Sequence, residues 1–464
     1  MDRLKKLFAG EDEQRYSALH TNDIEGDEEH PSSQLNDKPL PVRHVEYSIF
    51  LLLGISMLWA WNMFLAAGPY FQHRFRSNKS IYANFQAAEL TVSTVTNLGS
   101  MLILTKLQRA ANYPNRIVLS LLINMAVFAL LAASTAVEVS AEVYFVFLMG
   151  MIFAASLATG LCQNGVFAYV SGFGEPKFTQ AIMTGQAVAG VLPCIAQIVS
   201  VLAVQHPKSG QSERHGDKGE LPTGPTPVNW KAALAYFLTA TLISIATLLA
   251  FTYLLARTRP SISSSSTTPN TPTASTADLR ASTTSLKKPI PLTLLLRKLL
   301  PLSSAVFLTF AVTMVFPVLT QRILSTHPPH SQPPILQPPS FIPLALLLWN
   351  IGDLTGRLLT GIPAISLVHR PWIVLVMAVA RMGWVGLYHL CNLDGKGAVV
   401  ESDVFYLVVV QLGFGLSNGF IGSTCMIGAA EHVDEEEREA AGGFMGLCLV
   451  GGLAVGSGLS FFIT

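Results

Sequence analysis

Apolar residues in this chain alternate with polar ones at neither strand nor surface-helix spacing; they continue for a whole span at a time. Such runs cover residues 45–71, 82–106, 116–137, 143–170, 178–204, 230–256, 296–321, 341–366, 371–392, 403–430 and 440–463. Crossing about 30 Å of hydrocarbon takes roughly 20 helical residues, whereas a barrel strand needs only about 10 and alternates. The expected fold is therefore an all-α polytopic membrane protein with eleven transmembrane helices. Pro176 and Pro371 restrict the residues before them, so one helix should end and the next begin at each.

Between the spans the material changes. Residues 1–44 are polar and acidic and carry no cleaved-leader pattern, so the first span is expected to act as an uncleaved signal. Residues 257–294 form a Ser/Thr/Pro-rich linker that cannot bury enough apolar area to fold. The layout is thus an acidic tail (1–44), a six-helix bundle (45–256), a linker (257–294) and a five-helix bundle (295–464). Two bundles joined by a long connection are common in carriers that rock about a site at the bilayer midplane.

Composition narrows the class further. Only 13% of the 464 residues are charged, against roughly 25% in soluble domains, and the net charge is +1. A protein that coats nucleic acid is excluded. The five cysteines lie in apolar runs without CxxC or Cys/His spacing, so neither a disulfide framework nor a zinc site is expected. No P-loop, GxSxG or HExxH occurs, and neither an enzyme nor a cofactor is expected. Placing the N-terminus in the cytoplasm puts 19 Lys/Arg of the ends and loops on that side and 8 on the other, with the C-terminus outside.

Ionisable side chains inside a span are costly and mark functional candidates. The eighth span contains Asn350, Asp353 and Arg357 at i, i+3 and i+7, on one helical stripe. An Asp–Arg pair neutralises itself while offering acceptors and a donor fork to a polar, uncharged solute. The competing reading is an ion pair that locks this helix to its neighbours. Trp61 and Asn62 in the first span offer a ring and an amide, and Gln163–Asn164 in the fourth are amides in need of partners. Pro317, after Phe316 in the seventh, frees a backbone carbonyl and introduces a kink. Glu89 and Arg381 are candidates to pair, with Glu89 alternatively a proton or cation site. The Gly415/Gly419, Gly442/Gly446 and Gly452/Gly456 spacings suit close helix packing.

Several stretches together resemble the equilibrative nucleoside transporters, in a form similar to the fungal members. They are GISMLWAWNMFLAAGPYF (54–71), FTQAIMTGQAVAG (178–190), FIPLALLLWNIGDLTGRLLTG (341–361) and GLSNGFIGSTCM (415–426) with the glycine-rich last span. The resemblance covers about 45–463 and is carried most specifically by Asn-x-x-Asp-x-x-Gly-Arg combined with Trp-Asn. It implies eleven helices in a 6+5 arrangement similar to the major facilitator fold. It also implies a nucleoside site with Leu58, Trp61, Asn62 and Leu65 from the first helix, Gln163 at the base and Phe316 in the seventh. Asp353 and Arg357, with Asn350 beside them, would hold the ribose hydroxyls, and Leu453 would be an apolar wall. The chain departs from the family pattern at Ala60 and Gly386, where prolines are usual. It departs also at Leu346, where some members carry an aromatic, and at Glu89.

The expectation is facilitated diffusion of nucleosides such as uridine and adenosine, with nucleobases and proton coupling left open. An organic-cation carrier of the same fold and a non-transporting nucleoside-binding receptor are the alternatives. Expected partners are the solute, the lipid bilayer and a kinase acting on the linker at Arg257–Ser261. Tyr16-Ser-Ala-Leu19 fits a sorting pattern, so plasma and vacuolar or lysosomal membranes both stand as locations.

Overall fold

The computed structural model describes residues 42–108, 111–205, 230–258, 289–328 and 332–460. The acidic tail with its Tyr16–Leu19 pattern, and the linker around Ser261, lie outside the described residues. Among the described residues, eleven helices are long and apolar enough to cross a membrane. The protein is a multi-pass integral membrane protein.

The helices are α1 (Val42–Ala66), α2 (Lys79–Lys106), α3 (Tyr113–Ser134), α4 (Ala141–Gly172), α5 (Pro176–Gln205) and α6 (Trp230–Thr258). After the linker come α7 (Leu300–Thr313, resumed at Val315–Thr320), α8 (Pro338–Leu359) and α9 (Pro371–Ala380, resumed at Gly383–His389). Last are α10 (Phe405–Leu412, continued by Gly413–Glu431) and α11 (Arg438–Ser460). Pro176 and Pro371 open α5 and α9, where a missing N–H is harmless. Asn112 and Ser140 cap α3 and α4 by accepting from backbone N–H groups.

The breaks inside helices have local causes. Pro317 has no N–H for the Thr313 carbonyl, and α7 is interrupted at Met314 between them. The expected seventh span from 296 proves to be two elements, because a short helix Leu292–Lys298 precedes α7. The first eight residues of α10 are wound as a π-helix, and α9 pauses at Arg381–Met382.

Asn78 opens α2. Its Oδ1 accepts from Ser80 N (3.1 Å) and Ile81 N (3.2 Å), and its Nδ2 donates to Glu142 Oε1 at 2.8 Å. Asn78-Lys-Ser80 is a glycosylation sequence, but a glycan on Nδ2 would displace Glu142 from the cap. We expect Asn78 to stay unmodified in a eukaryotic host. Treatment with an N-glycosidase should leave the protein's electrophoretic mobility unchanged, and a shift abolished by Asn78→Gln would contradict this.

Among the first six helices α1 lies on α5 and α6, α3 on α4 and α6, and α2 on α4. Among the last five, α8 lies on α10, and α7 on α9, α10 and α11. Glycine permits the closest approach: Gly352 and Gly356 of α8 face the Leu412 and Leu416 carbonyls of α10. Gly415 and Gly419 of α10 face the Trp349 and Asp353 carbonyls in return. A Cβ at any of the four would strike backbone, so these two helices cross at van der Waals distance. The two sets of helices meet through α5–α8, α4–α11 and α2–α11.

Three apolar cores show where they meet. The odd-numbered helices all begin at one end, here the near end. There a single core runs through both sets: Leu53, Phe167, Ile182 and Leu254 lie in one cluster with Val306, Cys425 and Met445. At the far end the core divides. The first six helices form an aromatic cluster with Phe71, Phe85, Phe128 and Phe237, and the last five a separate one with Phe316, Trp349, Tyr388 and Phe414.

Candidate functional site

A cavity of about 310 Å³ lies between the two sets of helices, beyond the near-end core. That volume is at the small end of the roughly 300–1,000 Å³ usual for small-molecule sites. Helix α1 contributes Met57, Leu58, Ala60, Trp61 and Phe64, and α2 contributes Leu90, Ser93, Thr94 and Asn97. Helix α4 adds Ile152, Ala155, Ser156, Thr159 and Gln163. Met314 at the break in α7, and Val450, Leu453, Ala454 and Ser457 of α11, close the other side. Mostly apolar walls with a few amides and hydroxyls suit a solute with a flat apolar face and polar edges.

Four of the residues singled out from sequence meet here: Leu58, Trp61, Gln163 and Leu453. Gln163 is 4% exposed, and its Oε1 has no hydrogen-bond partner among the described residues. A buried amide oxygen in that state is a ready acceptor for a solute donor.

The other singled-out residues lie elsewhere. Leu65 is 53% exposed and outside the cavity lining. Phe316 stacks on Trp349 with ring centroids 4.3 Å apart, closing the far-end core of the last five helices. Asn350 donates to Leu346 O (2.8 Å) and to Cys194 Sγ (3.5 Å), tying α8 to α5. Glu89 is buried one turn before Ser93, and its Oε1 has no partner among the described residues.

Asn62 has a structural task that its own sequence context does not reveal. Its Nδ2 donates to the Ala189 carbonyl of α5 at 2.7 Å. Ala189 is four residues before Pro193, which lies inside α5 and has no N–H to offer that carbonyl. Asn62 thus supplies the donor that the proline removes. We expect Asn62→Leu to cost about 1–3 kcal/mol, the penalty of a buried carbonyl left unpaired. In a Pro193→Ala background the restored N–H should remove most of that cost. Melting temperatures of the four variants in detergent measure the coupling, and additive effects would contradict it.

Asp353 and Arg357 are both buried and form the ion pair that their spacing predicts, Nε to Oδ2 at 2.8 Å. The pair belongs to a chain of contacts across five helices. Arg357 Nη1 donates to Met183 O (2.7 Å) and Gln186 Oε1 (3.1 Å) on α5. Asn418 of α10 donates to Asp353 Oδ1 at 2.7 Å. Asn418 Oδ1 accepts from Thr313 of α7 (2.7 Å) and from Arg381 of α9 (3.1 Å). Arg381 also lies over the Phe414 ring at 4.4 Å, so it turns to α7 and α10 rather than to Glu89. The pair is absent from the cavity lining in this conformation. It is joined to the cavity through Gln186, whose Nε2 donates to the sulfur of Met57, a lining residue.

Asn97 was not singled out from sequence, yet it lines the cavity with Oδ1 unpartnered among the described residues. Ser93, Asn97 and Ser100 fall at i, i+4 and i+7, a polar stripe along an apolar span, and that stripe is the signal that points to it.

Fold and site together define a polytopic carrier: two helix sets, one closed end and a central cavity. Solved structures share the fold. They include the major facilitator superfamily transporter FucP in the outward conformation (TM-score 0.54, 14% identity, 90% of this chain and 91% of that one). The proton:xylose symporter XylE is another (TM-score 0.57, 10% identity, 90% and 86%). A model of the nucleoside transporter family matches residues 149–464, and the chain belongs to that family. Similar relatives include nucleoside transporter FUN26 of Saccharomyces cerevisiae, 27% identical over 90% of this chain and 84% of that protein. Another is equilibrative nucleoside transporter 1 of Homo sapiens, 24% identical over 89% and 95%.

Proposed function

We propose that this protein carries nucleosides across the bilayer by facilitated diffusion, with its two helix sets exposing the cavity alternately at either end. The observation that carries the reading is the division of the apolar core. The helices share one core at the near end and part into two at the far end, with Trp61 and Gln163 in the space between. A nucleoside base would stack against the Trp61 ring and present its edge to the amide. Reaching Asp353 and Arg357 requires Arg357 to leave Met183 and Gln186, so the ribose would be gripped as α8 moves on α5.

We take residues 45–256 and 295–464 as the two moving bodies and assign the near end to the cytoplasm, following the Lys/Arg distribution. Uptake of labelled uridine and adenosine into proteoliposomes tests the reading. Accumulation to the external concentration and no further is expected, and the lack of substrate-dependent uptake of either would overturn it. A second reading rests on Glu89, whose buried Oε1 has no partner among the described residues. It makes transport proton-linked or admits cations. Glu89→Gln should then remove any stimulation by an inward proton gradient, or any organic-cation uptake, while uridine still crosses.

A further inference from the structure

Two amide oxygens in the cavity have no partner among the described residues: Gln163 Oε1 on α4 and Asn97 Oδ1 on α2. They belong to one locus. Asn97 Oδ1 lies against Gly160 of α4, 3.3 Å from where a Cβ there would be. Gly160 and Gln163 are three residues apart and so share a helix face. A side chain at position 160 would meet Asn97 and Ser100, and its absence lets the α2 amide come up beside the α4 amide. The neighbouring Thr159 hydroxyl is already spent on its own helix, donating to Ala155 O at 2.9 Å.

Two acceptors side by side in a low-dielectric cavity call for two N–H donors on the solute. Among nucleobase substituents, the exocyclic amino group carries two N–H bonds on one atom, while an oxo group at the same position brings a lone pair against both oxygens. We propose that Asn97 and Gln163 form a paired clamp for the exocyclic amino group of a nucleobase, making the carrier prefer amino-bearing nucleosides to their oxo counterparts. One N–H donates to Asn97 Oδ1 and the other to Gln163 Oε1. The inference rests on the nucleoside reading and adds to it a rule of selectivity that Trp61 cannot supply, since stacking tolerates every base.

Competition between matched pairs tests it: adenosine against inosine, and cytidine against uridine, each differing at one amino or oxo position. In proteoliposomes the wild-type protein should favour the amino member of both pairs by about tenfold, the scale of one buried hydrogen bond left unmade. Asn97→Leu should bring both ratios close to one. Nucleoside-induced shifts in melting temperature, read on purified wild-type, Asn97→Leu and Gln163→Leu protein, give the same ratios without needing flux. If the wild type carries all four nucleosides without this preference, prefers the oxo members, or keeps its preference in Asn97→Leu, the clamp is overturned and the nucleoside reading stands. If the wild type neither binds nor carries any of the four, that reading itself fails.

Discussion

Asp353→Asn is expected to abolish nucleoside uptake and to destabilise the protein by about 3–5 kcal/mol, the usual cost of breaking a buried ion pair. The change leaves the guanidinium groups of Arg357 and Arg381 in one buried network whose carboxylate was Asp353. Arg357→Gln should also abolish uptake, since it removes the contacts to Met183 O and Gln186 on α5 along with the pair. The double variant Asp353→Asn/Arg357→Gln should recover much of the stability, because replacing both partners removes the uncompensated charge. It should not recover transport if these groups also grip the solute when α8 moves. Melting temperature in detergent and uridine flux for the three variants separate the roles. A double variant with wild-type flux would make the pair a structural lock alone.

Gly442→Val should shift the protein away from the conformation described here. Gly442 of α11 faces the Phe167 carbonyl and the Ser171 hydroxyl of α4, and a Cβ there would run into both. This contact belongs to the near-end closure, with Gln180 of α5 donating to Leu358 O of α8 at 3.3 Å. Gly174 lies there too, in the left-handed region (φ 66°) beneath the Arg438 guanidinium. Overpacking costs about 1–3 kcal/mol. Because the clash exists only while the near end is closed, it should shift the population towards near-end opening by about 5- to 150-fold. A cysteine placed at Ala168, buried on α4 beside Gly443, should react faster with an impermeant maleimide applied from that end, and net uptake should fall. Unchanged reactivity and uptake would show that α4 and α11 need not part.

How much the sequence discloses depends on the range of the interaction. Spans are legible because membrane thickness sets a minimum length, and all eleven appear where the apolar runs lie. The Asp353–Arg357 pair is legible because i,i+4 spacing brings the two side chains together within one helix. Asn62 is not, since its partner is a carbonyl vacated by a proline on another helix. Nor is the destination of Phe316, because the Trp349 ring that it stacks on belongs to α8. Site membership is a property of helix faces brought together by packing. Leu58 and Trp61 are three residues apart and line the cavity, whereas Leu65 turns outward and Asn62 turns to α5. Asn97 could have been found from its polar stripe, but only the approach permitted by Gly160 shows that it stands beside Gln163.

Alternating exposure of one nucleoside site is the central claim, and counterflow tests it most directly. Proteoliposomes loaded with unlabelled uridine and diluted into a trace of labelled uridine should take up label transiently above its external concentration. Internal substrate speeds the return of the empty site and occupies it against loss of label, so a carrier overshoots while a pore does not. The account predicts an overshoot with uridine or adenosine inside and none with a solute that the site does not bind. Nucleoside-induced thermal stabilisation in detergent without any counterflow in the same preparation would contradict it, and would leave a nucleoside-binding protein that does not transport.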